Sequence, residues 1–396
     1  MKYEVRFLTP AFLGNAEQSG QWRTPPFKAL LRHWWRVVWA AKQGFPEDFE
    51  AMRRHEGFLF GNAWLKCDED GRKVADYRKS QVRIRLSRWT AGRETKEKWG
   101  DQEIQPSGWK VRHPEVRQPI GPLLYLGYGP LEVSKRQRSG RQEYATTLKQ
   151  NAAVQAGEAA TLSLAVPDEE IADVRSALAL IDAYGAAGGR SRNGWGSLSL
   201  LPANGSPAHA LQLATWSRPW RDALALDWPH AIGRDDAGAL AWRTAKVYDD
   251  WKTLMRDLAI IKIGLRTMFV FPRNARPPHE RPVERNWLSY PITRHTTRKW
   301  KGTARLPNSL RLKVRPDAQD PRKLRGIVFH VPCLPPPEFR PQRTAIIEDV
   351  WTRSHRLLDE LGRQPDLRSY EAIRDETRCA ELRQQLDTIT IERIPQ

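Results

Sequence analysis

The sequence predicts an α+β protein built as two tandem βαββαβ units with long insertions. Three observations predict it. Short segments of period two recur in both halves, amphipathic helices separate them, and a Pro/Gly/Ser stretch, Pro202 to Pro207, divides the chain near its middle. At about 100–200 residues per domain, 396 residues make two domains, 1–203 and 204–396. Hydrophobic residues form 40% of the chain. With the 26 glycines, that is enough apolar material to exclude disorder as a description of the whole.

Tyr3-Glu4-Val5-Arg6-Phe7-Leu8 alternates and stops at Thr9-Pro10, as a strand does. A loop from Gly14 to Gly20 leads to Thr24-Pro25, an N-cap and first-turn pair. Phe27, Leu31, Trp34 and Val38 then recur at helical spacing, which makes one face core, while Lys28, Arg32 and Arg36 form a basic stripe on another. Trp35 and Trp39 lie off the core face, positioned for a second domain, a neighbouring subunit or stacked bases. Val82 to Trp89 has period two with Arg and Ser outward, a half-exposed strand with a basic outer face. Residues 90–122 are polar and broken by Pro and Gly, an excursion rather than core. A strand over Ala159 to Val166, a helix from Pro167-Asp168 to Tyr184, and a strand from Ser197 to Leu201 complete the first unit.

The second half repeats the pattern less clearly. It predicts a strand at His209–Trp216 and a helix at Val247–Ile261. Strictly alternating Ser309 to Arg315 pairs with Gly326 to Val331. Helices at about Arg343–Leu361 and Ser369–Leu386 precede a last strand, Thr388 to Ile394.

Charge narrows the function. Lys plus Arg total 65 against 46 for Asp plus Glu, a net charge of +19, and 47 of the 65 are arginine. Guanidinium groups fork onto phosphates and stack on rings. The 17 tryptophans supply flat faces, so the composition points to nucleic acid rather than to a membrane or a sulfated sugar. Cys67, Cys333 and Cys379 are widely spaced, without the pattern of a disulfide framework or a zinc module. No cofactor or metal is implied. The chain starts Met1-Lys2-Tyr3-Glu4, without the apolar core of a signal peptide, and no apolar run reaches membrane-spanning length. A reducing, cytoplasmic setting is expected.

The strongest local signal runs from Tyr184 to Trp195 and Gly196. Five glycines fall in the twelve residues from Gly185 to Gly196, after a helix and before a strand. Such a bend lets backbone approach a partner closely. Gly188, Gly189 and Gly194, with Asn193, offer backbone NH groups; Arg190 and Arg192 supply phosphate forks, and Trp195 a stacking surface. No GK[ST] follows, and the order is not strand–turn–helix, which excludes a phosphate-binding P-loop and a dinucleotide fingerprint.

Thr9-Pro10-Ala11-Phe12-Leu13-Gly14, Trp22-Arg23-Thr24-Pro25-Pro26-Phe27-Lys28-Ala29-Leu30-Leu31-Arg32-His33-Trp34-Trp35-Arg36 and Gly188 to Gly196 together resemble the RAMP superfamily of CRISPR proteins. The Leu-Arg-His-Trp-Trp-Arg helix is similar to the first RAMP subunit of the type III-B (Cmr) effector complex. The resemblance covers about residues 1–201; beyond it, only Trp287 to Pro291 and Leu310 to Val314 are similar. It implies two ferredoxin-like (RRM-like) domains. It also implies a role in holding guide (CRISPR) RNA or target RNA, near the guide 3′ end, beside other RAMP subunits of an antiviral defence complex.

Within that frame, Arg23, Lys28, Arg32 and Arg36 are expected to add charge beside the bend, and Arg298, Lys299 and Lys301 to contribute from the second domain. Two basic tracts interleaved with rings, Arg72 to Arg141 and Arg281 to Arg315, have the composition of a single-stranded RNA groove. The alternative is a RAMP-type endoribonuclease processing guide precursors, with His33 or His295 as acid–base group, or with the acidic cluster Asp68, Glu69 and Asp70. A solvated turn accounts equally for that cluster, and chance accounts for a histidine beside arginines. The expectation is a non-catalytic RNA-binding subunit.

Overall fold

Strand β1 (Lys2–Phe7) buries Val5 and Phe7 and exposes Lys2 and Arg6, so its alternation sets one face against a core. The computed structural model describes the chain except residues 18, 64–65, 70–71, 102–108, 139–140, 150–151, 206–210, 273–276, 374–376 and 396. Helix α1 (Thr24–Lys42) follows. Arg23 is its N-cap, Thr24 its first residue, and the prolines fall at its start, where missing N–H groups cost nothing. Helix α2 (Phe49–Phe60) is capped by Asp48, whose side chain accepts from the Glu50 and Ala51 N–H groups. Then come β2 (Arg83–Leu86), α3 (Pro122–Gly127), β3 (Ala159–Ala165), α4 (Ile171–Tyr184) and β4 (Leu198–Pro202). The sheet order is β4-β1-β3-β2, with every neighbour antiparallel. Helices α1 and α4 both pack on the face formed by Phe27, Leu31, Leu162, Leu164, Ile181 and Leu200.

The second half begins later than the sequence suggests. Residues 206–210 lie outside the described set, and Leu213–Trp216 is a turn of 3₁₀ helix rather than a strand. The first strand of its four-stranded sheet is β5 (Ala241–Thr244), followed by α5 (Trp251–Thr267), β6 (Leu310–Pro316), β7 (Leu324–His330), α6 (Ala345–Glu360), α7 (Thr377–Asp387) and β8 (Ile391–Arg393). Helix α5 opens at Trp251, not Val247, because Asp250 caps it by accepting from the Thr253 N–H. The order β8-β5-β7-β6 is again antiparallel throughout, and it repeats the strand sequence of the first sheet.

Two cores form, and each draws on both sides of residue 203. Leu226, Trp228, Ile232, Ala241, Ile327 and Phe329 join the core of the first sheet. Conversely, Phe12, Trp99, Val111, Leu126 and Trp195 join the core around α5 and α6. The excursion at 90–122 is therefore a correction to the sequence reading: Trp99 and Val111 are buried, because this segment carries the apolar surface that docks on the other half. Among the described residues, no helix is long and apolar enough to cross a membrane.

Candidate nucleic-acid interface

Helix α4 ends at Gly185, whose N–H donates to the Ile181 carbonyl at 2.7 Å. The chain then bends and returns, with Ala186 beside Ser197. Gly188, Gly194 and Gly196 have φ of +97°, +87° and +65°, where other residues are strained. A Cβ at Gly196 would stand 1.9 Å from the Ala187 carbonyl oxygen, and one at Gly188 2.8 Å from that of Phe12. These glycines thus serve close packing against the protein itself. Thr9 locks the stem: its hydroxyl donates to the Gly194 carbonyl at 2.7 Å and accepts from the Ser197 N–H at 3.0 Å.

Trp195 is fully enclosed by Phe12, Trp99 and Trp251, with ring centroids 5.1, 5.8 and 5.7 Å away. It is not a stacking surface for a base, a correction that follows from the apolar insertion, which the sequence reading left outside the core. The tip differs from the stem. Gly189 and Arg190 are exposed, and Arg190 itself takes a positive φ of 58°.

What the bend presents is cationic. Arg192 is half-buried, and its guanidinium donates to the Asn308 carbonyl at 3.2 Å. Asn193 donates to the Leu126 carbonyl at 2.7 Å and accepts from the Lys262 ammonium of α5. Arg192, Asn193, Lys262, Arg266 and Asn308 line one small cavity between the halves. On its other side Arg311 of β6 reaches α1, its guanidinium 2.7 Å from His33 Nε2. His33 in turn lines a cleft of about 820 Å³ with Lys28, Arg32 and Arg36. The cations, with neutral His33 between the first two, run from the α1 cleft through Arg311, Arg192 and Lys262 with Arg266 to Arg190.

Among the described residues, none of Arg190, Arg192, Lys262, Arg266 and Arg311 has a carboxylate within ion-pair distance. Burial, then the charges of Arg266 and Arg190, hold the Lys262 ammonium well below its ordinary range. Burial and then Arg192 bring Arg311 down to about 9. Burial, then Arg311, Arg192 and Arg36, keep His33 far below 6.5. The Nε–H groups of Arg266 and Arg311 are buried without a protein acceptor. Like charges gathered without counter-charge raise the free energy of the empty site, and an anion lowers it.

The α1 stripe is less free than its sequence suggests. Glu56 of α2, only 2% exposed, accepts from Arg32 at 3.0 Å and Arg36 at 2.5 Å. Arg32 and Arg36 are thus partly neutralised by a carboxylate 24 and 20 residues away in sequence. Lys28 keeps no such carboxylate, and partial burial followed by the Arg32 charge lowers its ammonium. Arg23 turns back to donate to the Gly14 carbonyl at 2.7 Å. Trp35 and Trp39 are buried, Trp35 against the Phe60 and His55 rings, so neither stacks on a base.

In the second half, Arg298 pairs with Glu280 at 3.0 Å on the surface, and Lys299 and Lys301 are exposed. Among the described residues these three share neither the cavity nor the cleft with the bend. The cations that do reach it, Lys262, Arg266 and Arg311, escaped sequence reasoning because they sit on elements that look like ordinary amphipathic segments. Asp68 and Glu69 lie on the strand Lys66–Glu69, which pairs with Arg72–Ala75, and Asp70 lies outside the described residues. Among the described residues, no group of three or more His, Cys, Asp or Glu side chains is placed to hold a metal ion.

An α+β chain with two antiparallel sheets, and a basic bend packed between them, defines the class to which comparison can be made. Residues 4–199 match the model of the RAMP superfamily, and through this half the chain belongs to that superfamily. Its structure is similar to the crystal structure of apo Cmr1 from Pyrococcus furiosus at 14% identity and a TM-score of 0.42, over 89% of this chain and 96% of that one. No curated protein matches the sequence.

Proposed function

We propose that the chain is a non-catalytic RNA-binding subunit of a type III-B CRISPR (Cmr) ribonucleoprotein, holding guide or target RNA near the guide 3′ end. One observation carries this reading. Arg190, Arg192, Lys262, Arg266 and Arg311 converge between the halves, among the described residues none of them has a carboxylate within ion-pair distance, and a phosphate chain supplies the missing counter-charge. Membership of the RAMP superfamily and the Leu-Arg-His-Trp-Trp-Arg helix support the choice of RNA and of the complex. Both four-stranded sheets, each with its first strand between the fourth and third, support reading the halves as ferredoxin-like domains.

His33 supports the non-catalytic part. Its Nε2 faces the Arg311 guanidinium at 2.7 Å, where the nitrogen acts as acceptor, and burial, followed by the surrounding cations, holds the ring neutral. A ring so engaged positions Arg311 rather than exchanging protons with substrate.

The test uses the assembled complex purified with its RNA. Arg190→Ala with Arg192→Ala is expected to lower RNA retention about ten-fold or more, and to flatten the salt dependence by about 0.7 in log K per lost phosphate contact. Undiminished RNA yield, with an unchanged salt slope, overturns the assignment. Site-specific cleavage of repeat-containing RNA by the isolated chain overturns the non-catalytic reading.

A further inference from the structure

The bend leaves unused a pattern between Tyr77 and Trp89. Every odd-numbered residue from 77 to 89 is exposed, whereas Val82 and Leu86 are buried and Ile84 and Arg88 half-buried. From Val82 to Arg88 the even-numbered side chains face the protein: Val82 and Ile84 line the α1 cleft, and Arg88 turns to Glu158 at 3.2 Å, whereas Arg78, further back, is exposed. Strand β2 is an edge strand, paired only with β3. Exposed Lys2, Arg6, Arg83, Arg85 and Ala165 mark the opposite sheet face as open.

On that face β2 presents Arg83 and Arg85, and the segments that flank the strand expose Tyr77, Lys79 and Gln81 before it and Ser87 and Trp89 after it. Tyr77 is 68% exposed and Trp89 56%, two of the most exposed large rings of this half, and they stand at the two ends of the row. Among the described residues, no carboxylate lies within ion-pair distance of Lys79, Arg83 or Arg85. Register adds another cation: Arg85 stands beside Ser163, and Ser163 beside Lys2.

We propose that this row is a second track for single-stranded RNA, on the face of the edge strand turned away from the cationic bend. Free guanidinium groups follow phosphates, and an unpartnered ring at each end takes a base on its face. An acidic protein would satisfy the cations but not the two rings, because the surface between them is Gln and Ser rather than apolar. The track does not depend on the bend holding RNA.

The experiment uses the full chain and a fluorescein-labelled 15-nucleotide oligouridine carrying 4-thiouridine. Crosslinks are expected in the peptides spanning 77–89, and they persist in the Arg190→Ala, Arg192→Ala protein. Arg83→Ala with Arg85→Ala is expected to weaken binding about ten-fold and reduce the salt slope by about 1.4. Trp89→Ala is expected to weaken it about ten-fold, with Trp89→Phe restoring most of the loss. All are surface changes, so an unaltered circular dichroism spectrum accompanies them. No crosslink in 77–89, or unchanged affinity in both variants, overturns the track. Polyglutamate binding as tightly as the oligonucleotide and ignoring Trp89→Ala does so as well, in favour of an acidic protein. Loss of the 77–89 crosslinks in the bend variant alone shows one site rather than two, and also overturns it.

Discussion

Trp195 and Arg190 stand five residues apart in one bend and have opposite fates. The indole is sealed among three other aromatic rings, and the arginine is exposed at the tip. Replacing Trp195 by alanine is therefore a stability experiment. A loss of about 3–5 kcal/mol in chemical denaturation is expected, with the salt slope of RNA binding by the surviving folded protein unchanged. A stable Trp195→Ala protein with weakened RNA binding would return the ring to the interface. Gly196→Ala pushes a methyl group into the Ala187 carbonyl at a positive φ, so loss of soluble protein is expected on expression. The residue types of the bend were legible from sequence, but their division into stem and tip was not. That division depends on Thr9, Phe12 and Trp99, residues far away in the chain.

The pairing of α1 with α2 decides how much of the basic stripe is available. Glu56→Gln removes the carboxylate that holds Arg32 and Arg36. Stability is expected to fall by about 2 kcal/mol, because the carboxylate is buried while both arginines remain partly solvated. RNA affinity is expected to rise several-fold at low salt with a steeper salt slope, read by fluorescence anisotropy; an unchanged slope would place the stripe off the RNA path. Strand β6 carries a similar lesson. Its alternation, Leu310 to Arg315, was plain in the sequence, yet the residue at the centre of its basic side does not face water. Lys313 is fully buried, and its ammonium donates to the carbonyls of Ile181, Gly185 and Leu198 at 3.3, 2.5 and 2.5 Å. It fastens the C-terminal end of α4, where unpaired carbonyls and the helix dipole favour a cation. Period two reveals two faces of a strand, but not whether the polar one meets solvent or another half of the protein.

For the whole molecule, the shared cores make acid the natural stress. His113 and His230 are held at about 4 and His355 at about 3, chiefly by burial, and His33 and His330 lie well below 6.5 for the same reason. In the unfolded chain each takes up a proton near 6.5. The unfolded state therefore binds more protons as pH falls from 6.5 towards 3, so stability is full above 6.5 and drains away below it. Glu56, Asp235 and Asp317, all lowered in the fold, extend the loss at still lower pH. A melting midpoint at pH 5.0 lower by at least about 5 °C than at pH 7.5 is expected from scanning calorimetry; equal midpoints would mean the histidines are not buried neutral. The sequence by itself determined the α+β class, the main strands and helices of the first half, the net positive charge and the glycine–arginine bend. Each of these is written in local spacing or in composition, which need no neighbour. Tertiary structure alone decided that Trp195 is core, that Glu56 quiets the α1 stripe, and that Lys262, Arg266 and Arg311 gather at the bend. Those outcomes are meetings between residues tens to hundreds of positions apart, and no periodicity along one chain records which distant faces close on each other.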